Sequence, residues 1–397
     1  MAPYILGLAW AYLFFLWAER SPPSRARTLW LAGLALPFAL AFFRYSGTDT
    51  YALYEQIAWN SFSQGVSTGL EPGFDLLVRA LMALTGSEVL TVRLLALLFT
   101  GLLALFLWRA DPTEGRFLFL FFVPVFFYQY SMNAVRAGLA LALVLLAWQS
   151  LRRGKWGSAL GLSGLALTFH YSAFVVLLPL GLVEGLRLRK PVALGIATTF
   201  LLVAVLLFLL EREYFLNKLL LYFSQIQGVQ ATGEGQGLPG GSRTLMVGML
   251  LLGLLGSPVS WGKKLAGGGL LLLLAGGSQA VALVSVAGTR LLELSALVAP
   301  LVIIRFHDLD AKRVQRGFIL LMALTGLLGG AFFFRQQLRD WGGRFTGTPT
   351  PFFPYQTVFQ FNPCPPSYYY PQASPRNCPF MGGDNPFPRP FHPPLPE

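Results

Sequence analysis

The sequence predicts an all-α membrane protein, a polytopic bundle of about ten or eleven spanning helices. The 397 residues are 54% hydrophobic and only 12% charged, and long apolar runs recur along the chain. Backbone inside a bilayer must satisfy its hydrogen bonds within its own segment, so runs of spanning length are expected to be helical. The predicted spans are residues 3–18, 28–43, 88–108, 117–132, 133–151, 191–210, 244–261, 265–287, 290–304 and 316–334.

The positions of the basic residues predict how these spans are oriented. The net charge of +12 would suggest a nucleic-acid partner in a soluble chain, but most of the 30 Lys and Arg residues lie in short connections between apolar runs. This is the pattern of basic cytoplasmic loops, so we expect a lipid bilayer and no nucleic acid. No Lys or Arg precedes the first apolar run, so that run is expected to persist as a helix rather than act as a cleaved signal. The acid-bearing loops 44–87 and 211–243 and both termini then lie outside.

Residues 157–184 form the one segment that breaks this charge pattern if it crosses the membrane once. A hairpin that enters and leaves on the cytoplasmic side and turns near His170 restores the pattern in every later loop. Each leg of about 13 residues would reach some 20 Å into a hydrocarbon core roughly 30 Å thick. A re-entrant hairpin is therefore the favoured prediction, and a kinked full span is the alternative.

The end of the chain has a different composition from the rest. Fifteen of the 27 prolines fall in the last 49 residues, a density that is incompatible with regular helix. We divide the chain into a transmembrane domain, residues 1–335, and an extended or disordered external tail, residues 336–397. Both cysteines, Cys364 and Cys378, lie in this tail, which argues against a cysteine-based metal cage in the bundle and allows a disulfide only in an oxidising compartment.

Polar residues predicted to lie on the outer side of the bundle are the candidate functional groups. Arginine forks bind phosphate bidentately and stay charged at any pH, so several of them around one cavity indicate an anionic ligand such as a lipid diphosphate. Snorkelling to the headgroups is the structural alternative for the arginines at helix ends. The outer set is Arg44, Asp49, Tyr51, Tyr54, Glu71, Tyr128, Tyr130, Asn133, Arg136, His170, Tyr171, Arg243 and Arg290.

His170 is the leading candidate for proton transfer, because His307 is predicted to lie in a basic inner loop and His392 lies in the tail. Its unperturbed pKa near 6.5 suits proton transfer from a sugar hydroxyl at neutral pH, although a buried neutral histidine is the ordinary structural explanation. Asp49 and Glu71 are rivals for the same role and candidates for binding sugar hydroxyls. Arg136, at the outer end of one helix, and His170, at the hairpin tip, are predicted to meet in one cavity.

Several signatures of other classes are absent from the sequence. It contains no G-x-x-x-x-G-K-[ST] loop for ATP, no H-E-x-x-H metal motif and no paired mid-helix acids of the kind found in proton-driven pumps. Active transport is therefore not favoured, and no metal or cofactor is expected.

Four stretches resemble, in order, the EpsG-like, Wzy-type bacterial polysaccharide polymerases. They are RYSGTDTYALYEQ, EPGFDLLVRAL, NAVRAGLALALVLLAW and ALTFHYSAFVVLLPL, with weaker support from GTRLLELSALV. The resemblance implies a GT-C-like membrane glycosyltransferase that joins undecaprenyl-diphosphate-linked oligosaccharide repeats on the outer face of the inner membrane. No metal is expected if arginine side chains stabilise the departing diphosphate. The resemblance also implies Arg44, Asp49, Tyr51, Glu71, Gly73, Arg136 and His170 as site residues. With the outer-side residues added, the candidates are His170, Arg136, Asp49 and Glu71 for catalysis, and Arg44, Arg136, Arg290, Arg243, Tyr51, Gly73 and Tyr130 for substrate and diphosphate.

The chain departs from the family pattern at three points. Ala137 stands where the family has a glutamine or polar residue, no tyrosine occurs at residues 291–294, and the proline-rich tail is not a family feature. A chain-length regulator and a flippase are the protein partners that the resemblance implies. The alternatives left open are an O-antigen ligase-type transferase and a non-enzymatic flippase or transporter of lipid-linked sugars.

Overall fold

A computed structural model describes residues 2–43, 71–185, 241–284 and 286–343. All regular secondary structure in these ranges is helical, which confirms the predicted all-α class. The predicted span 191–210, Arg44, Asp49, Tyr51, Tyr54 and the tail beyond residue 343 lie outside the described residues.

The described helices follow most of the predicted spans closely. They are α1 (Ala2–Glu19), α2 (Pro23–Phe42), α3 (Pro72–Thr85), α4 (Glu88–Trp108), α5 (Pro112–Phe117), α6 (Val135–Arg152), α7 (Trp156–Phe169), α8 (Ala173–Gly185), α9 (Gly241–Leu255), α10 (Trp261–Val284), α11 (Val286–Leu309) and α12 (Arg316–Gly343).

Five of the described helices are long and apolar enough to cross a membrane. The qualifying stretches are Ala2–Glu19, Leu90–Trp108, Val135–Arg152, Trp261–Leu283 and Arg316–Arg335. Three shorter apolar helices, α7, α8 and α9, accompany them. The chain is therefore a multi-pass membrane protein, as its composition predicted.

Two π-helical segments, Leu118–Phe127 and Gln129–Asn133, occupy the span predicted at 117–132. Such wide helices are rare and occur frequently near functional sites. The chain turns at Ala134, and α6 begins one residue later. Gly138 lies so close to the Tyr130 carbonyl oxygen that a Cβ atom there would overlap it, so only glycine permits the return of α6 along the π-helix.

The chain divides into two compact units. The first is drawn from residues 1–109, 125–139 and 330–397, and the second from residues 110–124 and 140–329. In the first unit α1 packs along α2, and α4 packs against both α2 and α3. Its aromatic core centres on Tyr4, whose ring lies 5.0 Å from that of Tyr128 and 6.3 Å from that of Phe334.

The second unit contains a three-helix group formed by α9, α10 and α11, with α8 packed on α11. A hydrogen bond of 2.8 Å joins Thr244 in the first turn of α9 to Gln279 near the end of α10. Ser278 of α10 lies 3.2 Å from Ser295 of α11, oxygen to oxygen. These contacts place the start of α9, the end of α10 and the start of α11 at one end of the group.

The structure corrects one histidine assignment and refines three boundaries. His307, predicted in a basic inner loop, lies within α11 and is fully buried, because the helix continues past the predicted end at residue 304. Helix α9 ends at Leu255, before the predicted limit at residue 261, and α12 continues to Gly343. The segment 157–184 breaks at His170, as predicted; whether its two legs form a re-entrant hairpin stays a prediction.

Candidate active site

The first unit brings together two of the predicted site residues, Glu71 and Arg136. The Arg136 Nη1 atom donates to Glu71 Oε2 at 2.6 Å. The Glu71 side chain is 1% exposed and that of Arg136 is 15% exposed. This is a largely buried ion pair between residues that are 65 positions apart in the sequence.

The local sequence explains why Glu71 stands where it does. Glu71 is the residue before α3, and Pro72 occupies the first helical turn, where its missing N–H removes no hydrogen bond. Phe74, one turn further, is fully buried, and its ring centroid lies 6.0 Å from the Arg136 guanidinium carbon. The start of α3 is thus held by apolar burial, which sets the Glu71 carboxylate against Arg136.

Arg136 is positioned by the turn that precedes it. The Ala134 N–H donates to the Gln129 carbonyl at 3.0 Å, closing the second π-helical segment, and the Gly138 N–H donates to the Ala134 carbonyl at 2.8 Å, opening α6. Arg136 therefore lies in the first turn of a rigid helix, where the neighbouring backbone N–H groups favour an anion. An arginine that is fixed by a carboxylate on one side has a defined orientation for a phosphate on the other.

Two other predicted substrate residues lie close to this pair in sequence. Gly73 is half-buried in the first turn of α3. Tyr130 is only 3% exposed, and its ring stacks on Phe126 at 5.7 Å. Tyr130 thus packs within the π-helical segments of the first unit.

The second unit holds the predicted arginines Arg243 and Arg290 at the same end of the group α9–α11. Arg243 is half-buried in the first turn of α9. Arg290 lies in the first turns of α11 with a 55% exposed side chain, and its Nη1 atom is 3.5 Å from Glu293 Oε2. Positive charge from two helices is therefore concentrated at one end of this group.

His170 occupies the break between α7 and α8. It is half-buried with extended backbone, its N–H donates to the Ala166 carbonyl at 3.0 Å, and its carbonyl accepts from the Ala173 N–H at 3.0 Å. The backbone of His170 is thus held at a fixed point between two helices. Its predicted meeting with Arg136 stays a prediction, since the two residues belong to different units.

Comparison with known proteins decides the family. The EpsG family model matches residues 27–356, which is most of the chain. The chain belongs to the EpsG family. No curated protein and no solved structure gave a significant match.

Family membership confirms the resemblance read from the sequence and indicates a polysaccharide polymerase-type membrane protein of bacterial membranes. It implies a lipid environment and, in general terms, a lipid-linked sugar substrate. Among the described residues, no group of His, Cys, Asp or Glu side chains is arranged to hold a metal ion.

This EpsG family protein also contains an ion-pair network that the sequence pattern did not predict. Arg152, at the end of α6, pairs with Asp111 at 2.9 Å, with Glu114 at 2.8 Å and with Asp308 at 2.7 Å. Glu114 also accepts from Arg153 at 2.9 Å. The network joins the start of α5 and the ends of α6 and α11, at the end of α6 opposite Arg136.

Burial controls the protonation of two groups near this network. Burial of the Glu114 carboxyl, reinforced by the neighbouring Asp111, raises its pKa above the usual value despite the two arginines. Burial lowers the pKa of His307 and favours the neutral imidazole, whose Nδ1 atom lies 2.8 Å from the Ile303 carbonyl oxygen.

Three further charged residues interrupt apolar runs but were not among the predicted site residues. Arg93 in α4 is 4% exposed, Glu184 in α8 is 1% exposed and Glu293 in α11 is 5% exposed. Glu184 forms a buried ion pair with Arg305 of α11. An ionisable side chain within a spanning segment indicates function by default, so the rule that selected Arg136 would also have selected these three.

Proposed function

We propose that this EpsG family protein is a glycan polymerase that joins oligosaccharide repeats carried on undecaprenyl diphosphate, at the outer face of the bacterial inner membrane. The observation that carries the proposal is the buried pair of Arg136 and Glu71 at the start of α6. The basic connections before α7 and after α11 would face the cytoplasm, which puts the Arg136 end of α6 outside.

Arg136 would stabilise the departing lipid diphosphate. Cleavage of the sugar–phosphate bond builds negative charge on the leaving oxygen, and a prepositioned cation in a site that excludes water is the strongest form of stabilisation. A guanidinium remains charged throughout and binds two phosphate oxygens at once, so arginines would perform this task without a metal. Arg44, Arg243 and Arg290 are the further candidates for phosphate, with Tyr51, Gly73 and Tyr130 as substrate contacts.

The ion pair with Arg136 makes Glu71 a poor choice for the proton acceptor. A carboxylate that accepts a 2.6 Å bond from a guanidinium is stabilised in its ionised form and is a poor proton acceptor. We therefore assign Glu71 to the orientation of Arg136. The proton of the attacking sugar hydroxyl would pass to His170 or to an acidic residue, Asp49 being the loop candidate.

The proposal is tested in cells that make the polymer and in which the chromosomal copy has been replaced. Arg136→Ala and His170→Ala should abolish long polymer while single repeats accumulate on lipid, whereas Arg335→Ala, at an exposed position near the end of α12, should leave the polymer unchanged. Mass analysis separates the related activities, because a ligase would transfer glycan to a different acceptor and a flippase would form no glycosidic bond. Normal chain length in both variants would contradict the proposal.

A further inference from the structure

Glu293 is a buried carboxylate for which the proposed chemistry has no assigned role. Its side chain is 6% exposed, one turn from Arg290 in α11. The Oε2 atom lies 3.5 Å from Arg290 Nη1, which is beyond the usual distance of a hydrogen bond. The Oε1 atom is buried and has no hydrogen-bond partner among the described residues.

A carboxylate in this state needs an explanation. Leaving a charged acceptor buried and unpaired costs more than about 1–3 kcal/mol, so such groups are uncommon outside functional sites. Glu184 in the same unit also has one buried oxygen without a partner among the described residues, but its other oxygen forms a direct buried ion pair with Arg305. Among the described residues, the nearest cation to Glu293 is Arg290, at 3.5 Å and with a side chain that is itself 55% exposed.

The group α9–α11, which contains Glu293, also carries uncharged polar side chains on all three helices. Thr244, Gln279, Ser278 and Ser295 lie at the same end of the group α9–α11 and supply hydroxyl and amide groups. Uncharged polar side chains of this kind bind sugar hydroxyls without competing for phosphate. Arg290, one turn before Glu293, has a 55% exposed side chain that would attract an anionic substrate.

We propose that Glu293 is the proton acceptor for the attacking sugar hydroxyl. The inference rests on the proposed polymerase function and names the acidic residue which that function left open. When a phosphate group draws Arg290 away, the Glu293 carboxylate becomes available to the acceptor sugar. Arg290 can leave Glu293 easily because the two side chains are 3.5 Å apart. Glu71 stays bound to Arg136, because that ion pair is only 2.6 Å long.

The step balances as a single displacement. Glu293 Oε1 takes the hydroxyl proton as the hydroxyl oxygen forms its bond to the anomeric carbon. The bond from that carbon to the diphosphate oxygen breaks, and its electron pair leaves with the lipid diphosphate. The products are the new glycosidic bond, the lipid diphosphate anion and protonated Glu293, which returns its proton to water.

The test uses the full-length protein reconstituted in lipid vesicles with a lipid-diphosphate-linked repeat. Glu293→Gln keeps the volume of the side chain and removes the proton acceptor, so kcat should fall by about 10²–10⁴-fold, with KM for the lipid-linked repeat changed little. Glu293→Ala leaves space for a small carboxylate, so added formate should restore at least part of the rate. Thr325→Ala, which removes a buried hydroxyl of α12 that donates to the Leu321 carbonyl, is the matched control and should keep a rate near that of the wild type without responding to formate.

The results with these variants distinguish Glu293 from His170 as the proton acceptor. Loss of rate in Glu293→Gln together with formate rescue of Glu293→Ala supports the assignment. A wild-type rate in Glu293→Gln, or a loss in Glu293→Ala that formate does not restore, overturns it, and imidazole rescue of His170→Ala would transfer the role to His170. If the wild-type protein itself forms no polymer in this system, the proposed function fails instead.

Discussion

The pair of Glu71 and Arg136 makes a quantitative prediction about how their substitutions combine. Removing one prepositioned donor to a developing oxyanion lowers kcat by about 10²–10³-fold, which is the loss expected for Arg136→Ala. Removing a charged hydrogen-bond partner is worth about 1.5–3 kcal/mol, or roughly 10–100-fold, which is the loss expected for Glu71→Gln. The buried 2.6 Å contact justifies using these values without a discount for solvent.

If Glu71 acts only through Arg136, the double variant should be no slower than Arg136→Ala alone. If Glu71 instead acts independently, as a proton acceptor would, the two losses should multiply to about 10³–10⁵-fold, because contributions of uncoupled groups add in free energy. The assay is the initial rate of glycosidic bond formation by the purified variants, normalised to folded protein. Normalisation matters because Arg136→Ala leaves the Glu71 carboxylate buried without its cation.

Arg136→Lys is the matched control that keeps the positive charge but lacks the paired N–H donors of a guanidinium group. Lysine retains the positive charge but presents no planar pair of donors, so we expect it to recover only part of the rate. A multiplicative loss in the double variant would refute the assignment of Glu71 as a positioning residue. Full activity of Arg136→Ala would refute the site itself.

Three further predictions concern the frame that holds the site. Arg152→Ala should destabilise the protein by about 3 kcal/mol in detergent, because it leaves Glu114 without one of its two arginines, whereas Arg153→Ala, at a more exposed position, should cost about 1 kcal/mol or less. Gly138→Ala should cost about 1–3 kcal/mol and lower activity, whereas Gly161→Ala, in open space, should be nearly neutral. Because burial raises the pKa of Glu114 in the folded state, its contribution becomes more favourable as pH falls, so wild type should gain stability relative to Glu114→Gln as pH is lowered from neutral toward the ordinary carboxyl value of 4.5.

Thermal unfolding in detergent checks all three. Equal losses in Arg152→Ala and Arg153→Ala would show that the two arginines contribute alike. A neutral Gly138→Ala would contradict the close approach to the Tyr130 carbonyl. A difference between wild type and Glu114→Gln that does not vary with pH would contradict the effect of burial on Glu114.

Hydropathy and charge were enough to predict the helices. The run before residue 108 and the one after residue 133 were placed within two residues of α4 and α6, because a bilayer requires long apolar segments and the chain has little else. The break at His170 was also predicted, from the charge pattern that a single crossing would violate. The π-helical form of residues 118–127 was not predicted, since an apolar run carries no signal that separates i→i+5 from i→i+4 bonding.

The sequence predicted the individual residues of the site but not how they pair. Glu71 and Arg136 could each be selected by type and position, but their pairing depends on how α3 meets α6, which no local pattern encodes. The same holds for Arg152, which looked like a topological charge until Glu114 and Asp308 were found beside it. Glu293 was visible in the sequence but was passed over within an apolar run.

The most direct test of the central claim is the stoichiometry of the reaction. Purified protein would be reconstituted with a repeat unit on labelled undecaprenyl diphosphate, with no nucleotide and no other protein, and both released lipid diphosphate and new glycosidic bonds would be counted. We predict one lipid diphosphate released for each bond formed in the wild type, and formation of both products about 10²–10³-fold slower with Arg136→Ala. Lipid diphosphate release without glycan lengthening, or lengthening at the wild-type rate in Arg136→Ala, would contradict the account.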